Sequence, residues 1–176
     1  MTRYLSMLFL LAVTPSPALA APVLADDSTL RQCRSAPVQA LRFIEVGKAS
    51  LWREDCVSGD AALMPPLALE FAYQRAVPGD AFSRSAMAMV ERNVSPDHFA
   101  DLRERLQAFN AAYRDIDDGD RYQLHYLDDG RLELRLNGEL LAAEQGHEFA
   151  RAYLSIWFGP QPYSDRLKRQ LLAARP

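Results

Sequence analysis

The chain has 176 residues, 49% of them apolar and 24% charged, with 11 Pro, 8 Gly and a formal net charge of −3. That profile excludes a disordered tail, a collagen-like repeat and a disulfide-dense miniprotein, and the length suits one domain able to bury a core without staples. A mildly acidic chain also lacks the basic face that neutralises phosphates, so nucleic acid is not an expected partner; the densest basic group, Arg166, Lys168 and Arg169, reads as the solvated side of a terminal helix.

The N-terminus carries the three parts of a secretory signal. Arg3 is the positive start, residues 4–13 form a short apolar stretch, and Thr14-Pro15-Ser16-Pro17 breaks the helix before the small-residue site Ala18-Leu19-Ala20. The apolar run is about ten residues where a bilayer span needs roughly 20, so an anchor is not expected and no segment further on could span. Residues 1–20 are therefore expected to be a signal peptide cleaved after Ala20, with Val23-Leu24-Ala25 a second candidate cut. Residues 21–176 form the mature domain, and the expected compartment is the periplasm. Export makes a Cys33–Cys56 disulfide the default reading, with a loop closure of about 3 kcal/mol in the chain-entropy model. The pair lacks redox C-x-x-C spacing and has no further ligands at zinc-site spacing.

Residues 21–32 read as a polar lead-in. Leu41 to Ile44 and then Val46 to Trp52 suggest one or two strands, with Gly47 marking a bulge or a close backbone approach. Residues 59–66 read as a loop. Leu67, Leu69, Phe71 and Tyr73 alternate with Ala68, Glu70, Ala72 and Gln74, the period of a half-buried strand. Pro78-Gly79-Asp80 opens a helix with Phe82, Ala86, Met89 and Val90 on one face. Ser95 is an N-cap with Pro96 at the first helical position, leading a helix whose stripe is Phe99, Leu102, Leu106, Phe109 and Tyr113.

After Gly119-Asp120 a meander begins. Tyr122, Leu124 and Tyr126 alternate, Asp128-Asp129-Gly130 turns, and Leu132, Leu134 and Leu136 alternate again. Asn137-Gly138 then makes a two-residue hairpin into a strand over 139–143. A helix carrying Phe149, Tyr153, Ile156 and Trp157 follows. Gly159-Pro160-Gln161-Pro162 stops it, and Ser164 caps a last helix. Segregated strands and helices predict an α+β fold, an antiparallel sheet packed on one face by helices.

The catalytic inventory is thin, with no nucleophile elbow, phosphate cradle or zinc-protease motif, and no cofactor or metal is expected. The acidic run Asp115, Asp117, Asp118 and Asp120 misses the register of a calcium loop and reads as a solvated turn. His98, His125 and His147 are scattered and read as surface residues, and Glu70 and Glu133 as an exposed strand face. Aromatic residues on core-facing stripes, Phe71, Tyr73, Tyr122, Tyr126, Tyr153 and Trp157, read either as plain core or as the wall of a cleft for an amphiphile.

Residues 150–172, ARAYLSIWFGPQPYSDRLKRQLL, resemble the closing segment of exported bacterial chalcone isomerase-like proteins: Trp157-Phe158-Gly159, Pro162, then Leu167-Lys168 and Leu171-Leu172. The strand Gly119, Asp120, Tyr122, Leu124, Tyr126, the hairpin Leu136-Asn137-Gly138 and the V-G-K-A-S-L-W segment from Val46 are similar to that group as well. The resemblance spans about residues 33–172. It implies a chalcone isomerase-like fold with a ligand cleft between sheet and helices. In that superfamily plant enzymes cyclise chalcones and related plastid proteins bind fatty acids without catalysis. Carried over to this chain, the family's arginine falls on Arg34 or, with a register shift, Arg42. The asparagine falls on Asn93, the threonine position on Val46 or Gly47, and the tyrosine position near Ala86.

The expected function is accordingly a non-catalytic exported protein binding a fatty acid or similar amphiphilic small molecule. Arg34 or Arg42 would pair with a carboxylate, Asn93 would join the ligand site, and Tyr73, Tyr122, Tyr126 and Trp157 would line the apolar part. Two other readings stand beside it: an isomerase or intramolecular lyase acting on an α,β-unsaturated carbonyl compound, and a cell-envelope interaction module whose cleft is filled by side chains.

Overall fold

The structure is a computed structural model that describes residues 29–40 and 44–174. The expected signal peptide and Arg42 lie outside the described residues. Six strands, β1 (Arg31–Ala40), β2 (Ile44–Arg53), β3 (Leu67–Tyr73), β4 (Arg121–Tyr126), β5 (Leu132–Leu136) and β6 (Glu139–Glu144), form one sheet in sequence order with every neighbour antiparallel. Helices α1 (Gly79–Glu91) and α2 (Pro96–Asn110) follow β3; α3 (His147–Phe158) and α4 (Asp165–Leu172) follow β6. The fold is the expected α+β arrangement.

The helix boundaries follow local chemistry. Ser95 Oγ accepts from the His98 amide and Ser164 Oγ from the Leu167 amide, each satisfying a donor that the first helical turn leaves unpaired. The cap of α1 comes from far along the chain, since Asp115 Oδ1 accepts from the Gly79 amide at 2.8 Å. At the hairpin joining β5 to β6, Asn137 and Gly138 have φ of 53° and 88°, the left-handed pair that a two-residue turn requires. Gly47 marks a close approach: a Cβ there would sit 2.2 Å from the Ala72 carbonyl oxygen.

Period-two alternation sorts β3, β4 and β5 into two faces. Leu67, Leu69 and Phe71, then Tyr122, Leu124 and Tyr126, then Leu132 and Leu134 are buried against Phe99, Leu106, Phe109, Phe149 and Tyr153 of the helices. On the opposite face Glu70 and Glu133 are each only 3% exposed, a correction to the exposed strand face expected for them. Glu70 takes Arg121 at 3.1 Å on one oxygen and Gln123 Nε2 at 3.1 Å on the other. Glu133 lies between Arg131 at 3.1 Å and Arg135 at 2.8 Å. Alternation reports which face a side chain takes; Arg121 from the neighbouring strand and Arg131 and Arg135 from Glu133's own segment then seal that face.

The first strand also differs from expectation. It begins at Arg31, where a polar lead-in was expected, and β2 begins at Ile44; residues 41–43 of the expected strand lie outside the described residues. Register shifts between Gln32 and Arg34 and between Val38 and Gln39 break its alternation, and Pro37 is tolerated because β1 is an edge. The expected loop over 59–66 contains a 3-10 helix (Gly59–Leu63), tied down by the Arg53 guanidinium, which donates to the carbonyls of Ala62 at 2.9 Å and of Met64. Burial pulls the Arg53 pKa below its ordinary value.

Cys33 and Cys56 are bonded, with their Cα atoms 5.1 Å apart. The bridge ties β1 to the segment after β2. In the chain-entropy model, opening this loop of 23 positions removes about 3 kcal/mol. At roughly 2–4 °C per kcal/mol for a domain of this size, Cys33→Ala/Cys56→Ala should melt about 6–12 °C below the oxidised protein in a calorimetric scan. An unchanged midpoint would show that the closure contributes nothing.

Candidate functional site

A cavity of about 240 Å³ lies between the sheet and helices α1 and α3. Val38, Val46, Phe71 and Tyr73 form its sheet wall; Ala81, Phe82, Ser85, Ala86 and Met89 form the α1 wall; Ile156 and Trp157 come from α3. Val77, Tyr113 and Tyr163 complete the lining, and the exposed Ser85 and Tyr163 stand at its open side. The space exists because small side chains oppose one another there. Ala81, Ser85 and Ala86 on α1 face valines on β1 and β2, and together they are too short to meet across a gap of helix-to-sheet width.

Aromatic rings set the walls. Phe82 is the hub, with centroids 5.4 Å from Tyr73, 5.3 Å from Tyr113 and 5.2 Å from Tyr122; Phe71 lies 5.1 Å from Trp157. Most hydroxyls nearby are committed to protein partners. Tyr113 OH lies 2.9 Å from Tyr153 OH, which donates to Asn110 Oδ1 at 2.6 Å. Tyr122 OH donates to the Arg114 carbonyl and accepts from the Arg114 amide, both at 2.8 Å. Tyr163 OH donates to the Gln39 carbonyl at 3.1 Å. Burial pushes the Tyr73, Tyr113 and Tyr153 phenols well above their ordinary pKa, so they stay neutral.

The site residues expected from the sequence separate into three groups. Tyr73 and Trp157 line the cavity, and Tyr122 lies behind them, its ring 6.4 Å from Tyr73 and 5.0 Å from Tyr113. Tyr126 stands elsewhere, fully buried with its hydroxyl 2.7 Å from His147 Nδ1. Arg34 donates through Nε to the Ala173 carbonyl at 3.0 Å, at the end of α4, and is outside the cavity lining. Asn93 is a clamp: its amide donates to the carbonyls of Met89 at 2.8 Å and Gln161 at 2.9 Å and accepts from the Gln161 amide at 2.8 Å.

Residues that sequence reasoning did not assign to the site include Val38, Val77, Ala81, Ser85, Tyr113 and Tyr163. Their signal was available in one place only, the small residues on the inner turns of α1. Every described lining residue is uncharged. Among the described residues no cluster of three or more His, Cys, Asp or Glu side chains is placed to hold a metal ion, and no helix is long and apolar enough to cross a membrane.

A six-stranded antiparallel sheet, helices over one face and an apolar cavity between the layers together define a sheet-and-helix α+β protein with room for a small molecule. The chain belongs to the chalcone isomerase-like family, whose sequence model matches residues 35–173. Among solved structures it is similar to the Arabidopsis thaliana fatty-acid binding protein, with a TM-score of 0.55 and 15% identity over 82% of this chain and 87% of that one. Comparison with curated proteins finds no match.

Gly159 lets the α3 terminus reach the clamp, because a Cβ there would meet Asn93 Oδ1 at 2.4 Å and the Ser155 carbonyl at 2.6 Å. Gly159→Ala should therefore lose about 1–3 kcal/mol in denaturant titration, the range for overpacked sites. Stability within a few tenths of wild type would show that the Asn93 clamp is slack.

Proposed function

We propose that this is an exported, non-catalytic binding protein that takes the apolar part of a fatty acid or similar amphiphile into the cavity between sheet and helices. The observation that carries the reading is the cavity itself, apolar and uncharged over its described lining and open beside Ser85 and Tyr163. Ligand pockets for drug-sized molecules run from about 300 Å³ upward, so about 240 Å³ suits a medium chain, or a longer one whose end projects through the open side. The fold shared with a fatty-acid binding protein supports the same reading.

Turnover is disfavoured by what occupies two particular positions. The family resemblance puts a threonine at Val46 or Gly47 and a tyrosine near Ala86; Val46 and Ala86 both line the cavity, and neither can hold a polarising water. With Arg34 bonded at the end of α4 and Asn93 engaged by the Gln161 backbone, the described walls contain no cation to stabilise an enolate developing on a carbonyl substrate. Export is supported by the signal-like residues 1–20 and is in keeping with the disulfide.

Native mass spectrometry of protein recovered from an exported preparation, followed by organic extraction, tests the reading. A stoichiometric adduct released as fatty acid or a related amphiphile is expected, together with its loss in Ala81→Trp, which fills the cavity from α1. A clean apo mass with no uptake of added medium-chain amphiphiles would sink it.

A further inference from the structure

Among the described residues, two hydroxyls of the cavity lining have no protein partner: Ser85, exposed at the open side, and Tyr73, on the sheet wall. Tyr113, Tyr122 and Tyr163 all have their hydroxyls engaged inside the protein. Tyr73 lines the cavity from the end of β3, and among the described residues no group bonds its hydroxyl. Its ring is fixed by Phe82 at 5.4 Å and Tyr122 at 6.4 Å, both edge to face, so the phenol is held in place without a polar partner. Tyr73 is half-buried and its hydroxyl is not one of the sealed-off polar atoms, so the donor is open to an incoming molecule and a ligand oxygen can satisfy it.

We infer that Tyr73 donates a hydrogen bond to the polar oxygen of the bound molecule, and that the cavity therefore selects an uncharged amphiphile, an acyl-chain ketone, alcohol or protonated acid, over an ionised carboxylate. This deepens the binding reading above and rests on it. The charge argument is one of solvation. A carboxylate drawn into an apolar space loses its hydration, and one neutral phenol without a cation beside it cannot replace that. A ketone or alcohol loses far less, and a single donor is its ordinary requirement. Burial raises the Tyr73 pKa well above that of a free phenol, so the donor persists across the physiological range.

The test uses four probes of equal chain length, octane, 2-octanone, 1-octanol and octanoate. It is read by Trp157 fluorescence in a Trp52→Phe background, since Trp157 lines the cavity and Trp52 does not. The ketone and alcohol should bind at least tenfold more tightly than octanoate at pH 8. Octanoate should gain affinity as pH falls toward 5, because protonation supplies the neutral form. Tyr73→Phe should weaken 2-octanone by about threefold to tenfold, the worth of one neutral hydrogen bond, and leave octane unchanged.

Octanoate binding at pH 8 as tightly as the ketone, and losing that affinity in Arg42→Ala, would overturn the neutral class while leaving the binding reading intact. Equal ketone affinity in wild type and Tyr73→Phe would overturn the role of Tyr73. Failure of every probe, octane included, to enter would remove the binding reading itself. Should Tyr73→Phe fail to fold, the wild-type comparison of ketone with octane and octanoate still decides whether a polar oxygen is bound and whether charge is refused.

Discussion

The strict alternation of β3, β4 and β5 is the constraint from which the rest of the molecule follows. Eight large apolar side chains on those strands face one way, and their burial requires a cover that the two helical pairs provide. The same alternation sends Glu70, Gln123, Glu133 and Arg135 to the other face, where the register sets Glu70 opposite Gln123 and Gln123 opposite Arg135. Each buried carboxylate there meets an arginine, which is what makes burial tolerable. Removing one member of such a pair leaves an uncompensated charge and is strongly unfavourable, whereas the pair itself adds little net stability.

Covering a sheet with helices need not leave a space between them. An apolar space left between sheet and helix exposes side chains that closer packing would bury, a bias toward collapse if α1 were free to move. It is pinned at both ends. Its first turn is held by Asp115 at the Gly79 amide and by the close passage of Gly79 over the Arg114 backbone, where a Cβ would lie 2.7 Å away. Its last turn is tied through Asn93 and Arg92 to the carbonyls of Gln161 and Pro162. Between those anchors the helix presents Ala81, Ser85 and Ala86, which cannot reach the valines opposite, so the gap lies where short side chains meet between two fixed ends.

Much of this architecture was legible in the sequence because it rests on local chemistry: the Ser95 and Ser164 caps, the Asn137-Gly138 turn and the alternation of the central strands each announce themselves within a few residues. β1 did not, since two register shifts and Pro37 scramble its pattern and only pairing with β2 reveals it as a strand. The candidate site was legible in part. Tyr73 and Trp157 fall in the cavity, while Tyr126 shares the stripe of Tyr122 but stands a strand's length away beside His147. A sequence shows which face a residue takes; how far along the sheet the helices leave it uncovered depends on where small residues from separate elements meet.

Placement also explains why the polar groups expected to act on a ligand do something else. Arg34 leaves β1 beside α4 and meets a helix-terminal carbonyl, an interaction that stabilises the negative end of that helix. Asn93 has both its amide donors and one acceptor position of its oxygen engaged by backbone, so it orients the segment that carries Tyr163 to the cavity rim and has no donor left for a bound molecule. Val46 and Ala86 then turn two positions of the family's pattern into plain wall. What remains is a space shaped by aromatic edges with a neutral phenol at its sheet wall, a constellation able to hold and orient an apolar molecule but without the charge needed to stabilise one developing on it.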